Sequence, residues 1–267
     1  MSVNQHASRS SWQITYSVWS ALFMREALAR TTADRFAWFW MVFEPMALVG
    51  LMVSVRTLIF GSNRFIMGAD FIPWLITGLL GFFLFRENMM RPLNAIEANK
   101  GLFSYRQVRP VDTVFVRCLL EGILKTFIIF IFVGCGAVLG FNIIPDNPLA
   151  ALVAWINLWM MGAGFGLIFS VLSTLIPELG RIVRITTLPL MLTSGAIVPL
   201  NFLHHEVREI ILYIPIVHAL EMLRQGFFST YHALPGVSPV YMWVWSLSVV
   251  ALGLLLHVKY ADELKAA

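Results

Sequence analysis

Residues 149–175 read LAALVAWINLWMMGAGFGLIFSVLSTL, a run that contains no Asp, Glu, Lys or Arg. A helix needs about 20 mostly apolar residues to cross the hydrocarbon core of a bilayer, so this run is long enough to span a membrane. Gly162 and Gly166 within it, and Gly136 and Gly140 before it, form G-x-x-x-G pairs that predict close packing between helices. The chain as a whole is also apolar, because 58% of its 267 residues are hydrophobic and 13% are charged. The sequence therefore predicts an all-α polytopic membrane protein.

Five further stretches are apolar enough to cross a bilayer, and together they predict one transmembrane domain over residues 1–267. The six predicted spans are 37–60, 70–90, 113–141, 149–175, 182–200 and 238–258. The fifth contains Pro189, Gly195 and Pro199. We expect this span to be kinked or short, because proline and glycine inside a membrane helix free backbone groups that neighbouring helices must satisfy.

Lys and Arg indicate the orientation of the chain. They are concentrated before the first predicted span, between the second and third, and after the sixth, whereas NIIPDNP at 142–148 contains neither. Cytoplasmic loops of membrane proteins carry the excess of Lys and Arg. We therefore expect both termini to be cytoplasmic, and a bacterial inner-membrane location follows from the resemblance described below.

Residues 10–31 predict an amphipathic helix ahead of the first span. An aromatic stripe at i, i+4, i+7 and i+11 is formed by Trp12, Tyr16, Trp19 and Phe23. Trp and Tyr prefer the membrane–water boundary, which favours a helix lying on the cytoplasmic membrane surface. A helix packed on another protein is the alternative.

Residues 201–230 predict a short helical hairpin between the fifth and sixth spans, on the periplasmic side. Pro215 separates two amphipathic patterns, each too short to cross the membrane. A re-entrant hairpin or an external cap would fit, and either would act as a periplasmic gate. The candidate gate residues are His204, His205, Glu206, Arg208, Glu221 and Arg224. HHEVRE at 204–209 lacks the second His of a metalloprotease helix, so no metal site is predicted.

Charges inside the third predicted span indicate a candidate translocation path. Arg117, Glu121 and Lys125 lie at i, i+4 and i+8, on one face of a helix. They either form neutralised pairs near the membrane boundary or line a path for an anionic solute. Trp155 and Trp159 are candidates for stacking against sugars, with aromatic packing against the first span as the alternative.

The segment AIEANKGLFSYRQVRP, at 95–110, lies between the second and third predicted spans. We expect a helix over 94–105, because Asn94 and Glu97 have the spacing of a capping box and Gly101 can end the helix in a left-handed conformation. Exposed apolar side chains on this helix would make it a docking surface. The predicted docking residues are Asn94, Ile96, Glu97, Asn99, Lys100, Leu102, Phe103 and Tyr105.

The sequence lacks the patterns for nucleotide and nucleic-acid binding. No G-x-x-x-x-G-K-[ST] pattern occurs, so we expect this chain to bind no nucleotide phosphates itself and to be no enzyme. No basic face stands apart from the membrane segments, so a nucleic-acid partner is not expected.

The segment GFFLFRENMMRPLNAIEANKGLFSYRQVRPVD at 81–112 resembles type-2 ABC exporter permeases, and most of all those that export capsular polysaccharide from Gram-negative bacteria. ALFMREALARTTADRFAWFWMVFEP at 21–45 and GLIFSVLSTLIPELGRIV at 166–183 resemble the same family. The resemblance covers nearly the whole chain, and the 94–110 motif is its most specific part.

The resemblance implies a transport subunit that works as a homodimer with two ATP-binding cassette subunits. ATP and Mg would be bound by those subunits, and 94–105 would be the coupling helix that docks on them. The cargo would be an acidic lipid-linked polysaccharide, passed to a periplasmic co-polymerase and an outer-membrane exporter.

Three alternatives remain open from the sequence. The cargo could be another lipid-linked polymer, such as O antigen or teichoic acid. An ion-coupled secondary transporter would show an internal repeat and matching broken helices in both halves. A membrane scaffold without transport would need no charged residues within its spans.

Overall fold

The structure is a computed structural model that describes residues 10–32, 37–60 and 65–266. Its α-helices are α1 (Ser11–Thr32), α2 (Ala37–Phe60), α3 (Phe71–Met90), α4 (Pro110–Val138), α5 (Pro148–Leu175), α6 (Pro177–Thr193), α7 (His205–Ile211), α8 (Pro215–Phe227), α9 (Pro239–Lys259) and α10 (Ala261–Ala266). Short 3-10 helices occupy Arg91–Asn94, Glu97–Leu102 and Leu200–Phe202, and the antiparallel strands β1 and β2 are Phe65–Ile66 and Ala69–Asp70.

Helix α5 is the centre of the bundle, where it packs against α3, α8 and α9. Glycine makes the contact with α3 possible. A Cβ at Gly162 would lie 2.6 Å from the carbonyl oxygen of Phe85, and a Cβ at Gly166 would collide with the carbonyl of Asn88. This G-x-x-x-G pair therefore brings two helices into close contact, as predicted.

The second G-x-x-x-G pair has a different role, so the packing prediction is wrong there. Gly140 follows the end of α4 with φ +82°, and among the described residues no atom beyond its own chain neighbours lies within 4 Å of the position of a Cβ. Gly136 faces Ile143, which lies in the connection that follows. The pair shapes the end of α4, where a left-handed residue is best supplied by glycine.

The helices α2, α3, α4, α5 and α9 follow the bounds of the predicted spans closely. The fifth span, predicted over 182–200, needs correction because α6 occupies Pro177–Thr193. Helix α6 begins at Pro177, five residues before the predicted start at 182, because proline is favoured in the first turn of a helix. Beyond Thr193 the chain turns through Gly195, whose φ of +79° ends the helix.

Three of the described helices, α4, α5 and α9, are long and apolar enough to cross a membrane by themselves. The helices α7 and α8 join at a bend of 100°, as a broken span or a re-entrant loop would. This geometry agrees with the predicted two-helix hairpin. Helix α2 contains the shorter apolar stretch Val42–Val55. The count of six spans stays a prediction.

The long helices run between two ends of the bundle. At the loop end, formed by residues 91–109, Ser173 Oγ near the end of α5 donates to the carbonyl of Leu93 at 2.8 Å. At the hairpin end, formed by α7 and α8, the amide of Asn147 before α5 donates to the carbonyl of Gly226 at 2.9 Å. Helix α5 therefore runs from the hairpin end to the loop end.

Helix α1 lies against the first turns of α4. Trp19 Nε1 donates to Asp112 Oδ1 at 2.9 Å, and the Trp19 ring lies 4.7 Å from that of Phe115. Trp12 and Tyr16 remain exposed. Residues 11–32 are helical, as the pattern predicted, but Trp19 of the aromatic stripe packs on α4 whereas Trp12 and Tyr16 are exposed. Its location on a membrane surface stays a prediction.

Candidate functional site

The loop at 91–109 is built differently from the predicted coupling helix. Two 3-10 helices replace one α-helix over 94–105, and the second continues through Gly101 to Leu102. Gly101 therefore does not end the helix in a left-handed conformation. Asn94 does not cap either, because the helix Glu97–Leu102 has Ile96 at its N-cap position and no side-chain cap hydrogen bond. The Oδ1 of Asn94 instead accepts from Arg184 Nη2 at 3.3 Å.

The prediction of exposed apolar anchors is wrong for Ile96 and Phe103. Both are buried in a cluster with Cys118 of α4, Leu167 of α5 and Leu264 of α10. A short loop between two helices can bury apolar side chains against the bundle that it caps, and this burial removes them from water. These residues hold the loop on the bundle and do not form its outer surface.

The outer surface of the loop is polar, with one aromatic side chain. Glu97 and Lys100 are exposed, and Tyr105 is 65% exposed. Leu102 is partly buried, and Asn99 is buried with its side-chain amide donating to the carbonyl of Ala95 at 2.6 Å. A docking surface at this loop would consist of Glu97, Lys100 and Tyr105.

A polar cleft of about 730 Å³ opens beside the loop, among α1, α3, α4 and α6. We call it the arginine cleft. Its lining residues are Glu26, Arg30, Arg86, Glu87, Met90, Arg91, Asn94, Arg117, Arg184, Thr187, Leu188 and Met191. Five arginines and two glutamates thus face the space, which gives the lining an excess of positive charge.

Ion pairs join α1 to α4 at the cleft. Arg117 Nε lies 2.8 Å from Glu26 Oε1, and Arg30 forms an ion pair with Glu121. Arg117 Nη1 also donates to the carbonyl of Arg91 at 3.1 Å. Glu121 is buried, and a buried carboxylate is retained as a charge only when cations neutralise it. Helix α1 therefore supplies one wall of the cleft and the counter-charges for α4.

A second group of ion pairs lies at the loop end of α3. Glu87 Oε2 accepts from Arg91 Nε at 3.0 Å, and Glu87 Oε1 accepts from Arg86 Nε at 3.1 Å. Arg86 also lies 3.5 Å from Glu44 of α2, and Arg91 lies 3.6 Å from Glu121. The carboxylates thus neutralise part of the positive charge.

Arg184 differs from the other arginines of the cleft. It projects from α6 and is exposed. Among residues 10–32, 37–60 and 65–266 it forms no ion pair with a carboxylate, and its side chain donates to the amide oxygen of Asn94. Its charge is therefore available to an anion that enters the cleft.

The residues predicted to line one path are divided among several places. Arg117 lines the cleft and Glu121 lies beside it, whereas Lys125 is half-buried with its Nζ 5.9 Å from the centre of the Phe83 ring. Trp155 Nε1 donates to Thr126 Oγ1 at 2.8 Å, in an apolar groove between α4 and α5.

Trp159 lines the same groove, and its Nε1 donates to the carbonyl of Cys118 at 2.9 Å. Both tryptophans therefore pack against α4, whereas the alternative considered from the sequence was packing against the first span. A role for the pair in a sugar path stays a prediction.

The hairpin residues also divide into two groups. His204, His205 and Glu206 are exposed around the start of α7, and Arg208 is partly buried. The two charged residues of α8, Glu221 and Arg224, are buried and form an ion pair at 3.1 Å. A surface gate would therefore involve α7 and not the charged residues of α8.

Comparison with known proteins identifies the family. The model of the ABC-2 type transporter family matches residues 17–228, which is most of the chain and includes the loop, the cleft and the hairpin. The chain belongs to the ABC-2 type transporter family. Two of the relatives named below are inner-membrane proteins of capsule polysaccharide export.

Several characterised relatives of this ABC-2 chain are similar over almost their whole length. The polysialic acid transport protein KpsM of Escherichia coli is 30% identical over 94% of this chain and 96% of its own. The capsule polysaccharide export inner-membrane protein CtrC of Neisseria meningitidis is 26% identical over 90% of both chains. The corresponding protein BexB of Haemophilus influenzae is 27% identical over 93% of this chain and 92% of its own.

Sequence reasoning missed most of the arginine cleft of this ABC-2 chain. Glu26 and Arg30 lie at i, i+4 on α1, and Glu87 and Arg91 have the same spacing across the end of α3. This spacing places each pair on one helix face and could have indicated them. Arg184 had no such signal, because its place in the cleft depends on how α6 packs.

Proposed function

We propose that this chain is the membrane subunit of an ATP-driven exporter that moves a lipid-linked capsular polysaccharide across the bacterial inner membrane. Membership of the ABC-2 family and the similarity to capsule export proteins support the transport class. The arginine cleft carries the assignment of an anionic cargo, because a polar space with an excess of arginine suits a phosphate or carboxylate group.

The proposed topology has six spans, α2 to α6 and α9, with both termini and the loop end in the cytoplasm. The opposite ends of α5 lie at the loop and at the hairpin, which supports this arrangement. The arginines of the cleft gather at the loop end, as expected for the cytoplasmic side. The hairpin then faces the periplasm, where α7 would meet the co-polymerase and the outer-membrane exporter.

The proposed transporter contains two copies of this chain and two ATPase subunits, which bind ATP and Mg. The outer surface of the loop, formed by Glu97, Lys100 and Tyr105, docks on an ATPase subunit. Burial of Ile96 and Phe103 supports this role, because a loop held on the bundle transmits displacement instead of absorbing it. The arginine cleft lies beside the loop and receives the anionic end of the cargo.

Co-purification tests the docking surface. We expect the detergent-solubilised chain to retain its ATPase subunit, and Lys100→Glu with Tyr105→Ala to lose it. The matched control, Arg25→Glu with Tyr16→Ala, also reverses one positive charge and removes one tyrosine ring, at exposed positions of α1, and should retain the ATPase. Retention by the loop variant would remove the docking assignment.

Export tests the cargo. A strain that lacks its own capsule permease should regain surface capsule when this chain and its ATPase are expressed together. Restoration of O antigen in a matching O-antigen strain, without restoration of capsule, would assign another lipid-linked glycan. Export of either polymer without an ATPase would contradict the ABC mechanism.

A further inference from the structure

Arg224 of α8 is a fully buried cation at the hairpin end of the bundle. Its exposure is 0%, and that of its ion-pair partner Glu221 is 2%. A buried ion pair is weak evidence for stability, because removing both charges from water costs free energy that their attraction does not always restore. The role of the pair is therefore better inferred from the other groups that Arg224 and Glu221 contact.

Helix α3 forms a slot for the guanidinium group of Arg224. The centre of the Trp74 ring lies 3.8 Å from Cζ of Arg224, which is a cation–π contact. One helical turn later, any Cβ at Gly78 would collide with Arg224 Nη2. The ring of Trp74 thus stacks on the planar guanidinium group, and Gly78, four residues later, leaves the space that this group occupies.

The same guanidinium group holds the chain that follows α6. Arg224 Nη2 donates to the carbonyl of Gly195 at 2.8 Å and to that of Ala196 at 3.2 Å. Gly195 has a φ of +79°, where the chain leaves the helical direction. Arg224 therefore connects three elements: α3, α8 and the turn at the end of α6.

Glu221 fixes the other side of the guanidinium group. Its carboxylate accepts from the hydroxyl of Tyr231 at 3.0 and 3.1 Å and from the amide of Leu234 at 3.0 Å. Burial raises the pKa of Tyr231 to about 12, so its hydroxyl remains a donor at physiological pH. These contacts hold Glu221, and through it Arg224, in one orientation.

Helix α6 packs on the bundle less deeply than α8 does. Its buried residues are Gly180 and Val183, both near the loop end, whereas α8 is buried along most of its length. The half of α6 that approaches the hairpin packs on the bundle through the partly buried side chains of Leu190 and Met191 and through its last turn. The contact between Arg224 and the carbonyls of Gly195 and Ala196 lies at that turn.

We propose that Trp74, Glu221 and Arg224 form a clamp that positions the end of α6 against α3, and that α6 moves about Gly195 when the clamp yields. In a transporter this would make the three side chains positioning residues for the opening of the path, a step that rests on the proposed function. Helices α3, α7 and α8 stay together as one body, since Ile211 of α7 packs with Val217 of α8, and α6 is the part that moves relative to it.

Amide hydrogen exchange of the chain in nanodiscs tests the clamp without any transport. Arg224→Lys keeps the charge next to Glu221, but one ammonium group cannot both stack on Trp74 and reach two carbonyls. We expect exchange over residues 194–203 to become about tenfold faster, with no change in α5. Trp74→Phe, which keeps a ring but weakens the cation–π contact, should give a smaller acceleration in the same segment.

Arg208→Lys in α7 and Trp245→Phe in α9 are matched controls, because these side chains are partly exposed and lie outside the clamp. Unchanged exchange over 194–203 in both clamp variants would overturn the proposal. Acceleration along the whole chain in Arg224→Lys would also overturn it, because that result indicates a purely structural residue.

A second measurement compares ATP hydrolysed with glycan exported in the assembled transporter. The clamp predicts a severalfold rise in this ratio for Arg224→Lys, because α6 no longer follows α3. An unchanged ratio per folded complex would contradict the positioning role. Absence of export by the wild-type chain would instead contradict the proposed function, and the exchange result would be unaffected.

Discussion

Alanine substitutions of Phe103 and Tyr105, two aromatic residues of the loop, should affect different properties of the protein. Phe103 is 8% exposed and packs in the cluster of Ile96, Cys118 and Leu264, whereas Tyr105 is 65% exposed. Phe103→Ala removes a buried ring and leaves a cavity, which typically costs about 3–5 kcal/mol of unfolding free energy. Tyr105→Ala removes a ring from the surface, where substitutions usually change the free energy by less than about 0.5 kcal/mol.

Thermal unfolding of the purified chain measures the first effect. A loss of 1 kcal/mol lowers the melting temperature of a protein of this size by about 2–4 °C, so Phe103→Ala should lower it by about 6 °C or more. Phe202→Ala is the matched control, because Phe202 is 68% exposed and loses the same atoms without leaving a cavity. An unchanged melting temperature for Phe103→Ala would refute the reasoning that this residue anchors the loop.

ATPase affinity measures the second effect. An aromatic side chain at the centre of an interface can contribute about 2 kcal/mol, so Tyr105→Ala should weaken binding of the ATPase about thirtyfold while the melting temperature stays constant. Binding can be followed by biolayer interferometry with the chain held in nanodiscs. If Tyr105→Ala binds as tightly as the wild type, the exposed face of the loop is not the docking surface.

Three further changes test the cleft and the bundle. Arg184→Gln should weaken binding of dodecyl phosphate, an anionic lipid mimic, about tenfold by thermophoresis, because it removes a cation that has no carboxylate partner among the described residues. Arg181→Gln, outside the cleft, should have no effect. Glu26→Gln removes a counter-charge from the cleft and should tighten binding of the same probe; weaker binding would contradict an anion site. Gly162→Ala should lower the melting temperature, because its Cβ meets a backbone oxygen of α3, whereas Gly134→Ala, with open space around it, should not.

Hydropathy and helix signals predicted the long helices well, because burial in a bilayer demands long apolar runs that the sequence displays directly. The hairpin was also predictable, since Pro215 interrupts two amphipathic patterns and α8 begins at that residue. The start of α6 at Pro177 was missed because the predicted span followed hydropathy, and the first turn of α6 is polar.

Burial of single side chains was much less predictable. The pattern of the loop identified Ile96 and Phe103 as apolar, but it did not determine whether they faced the bundle or a partner. The burial of Arg224 depends on Trp74 and Gly78, which lie far away in the sequence. Local sequence periodicity does not report contacts of this kind, so Arg224 was predicted only as a gate residue on a short amphipathic helix, without its buried contacts to α3.

Helix α3 connects the loop to the clamp. With 20 residues it is about 30 Å long, comparable to the hydrocarbon core of a bilayer. It passes directly into the 3-10 helix at Arg91 at one end, and it stacks Trp74 on Arg224 near the other. Close contact with Gly162 of α5 leaves little room for α3 to bend between these points. A displacement applied to the loop should therefore reach the end of α6 through α3, and loss of the clamp should separate the two movements.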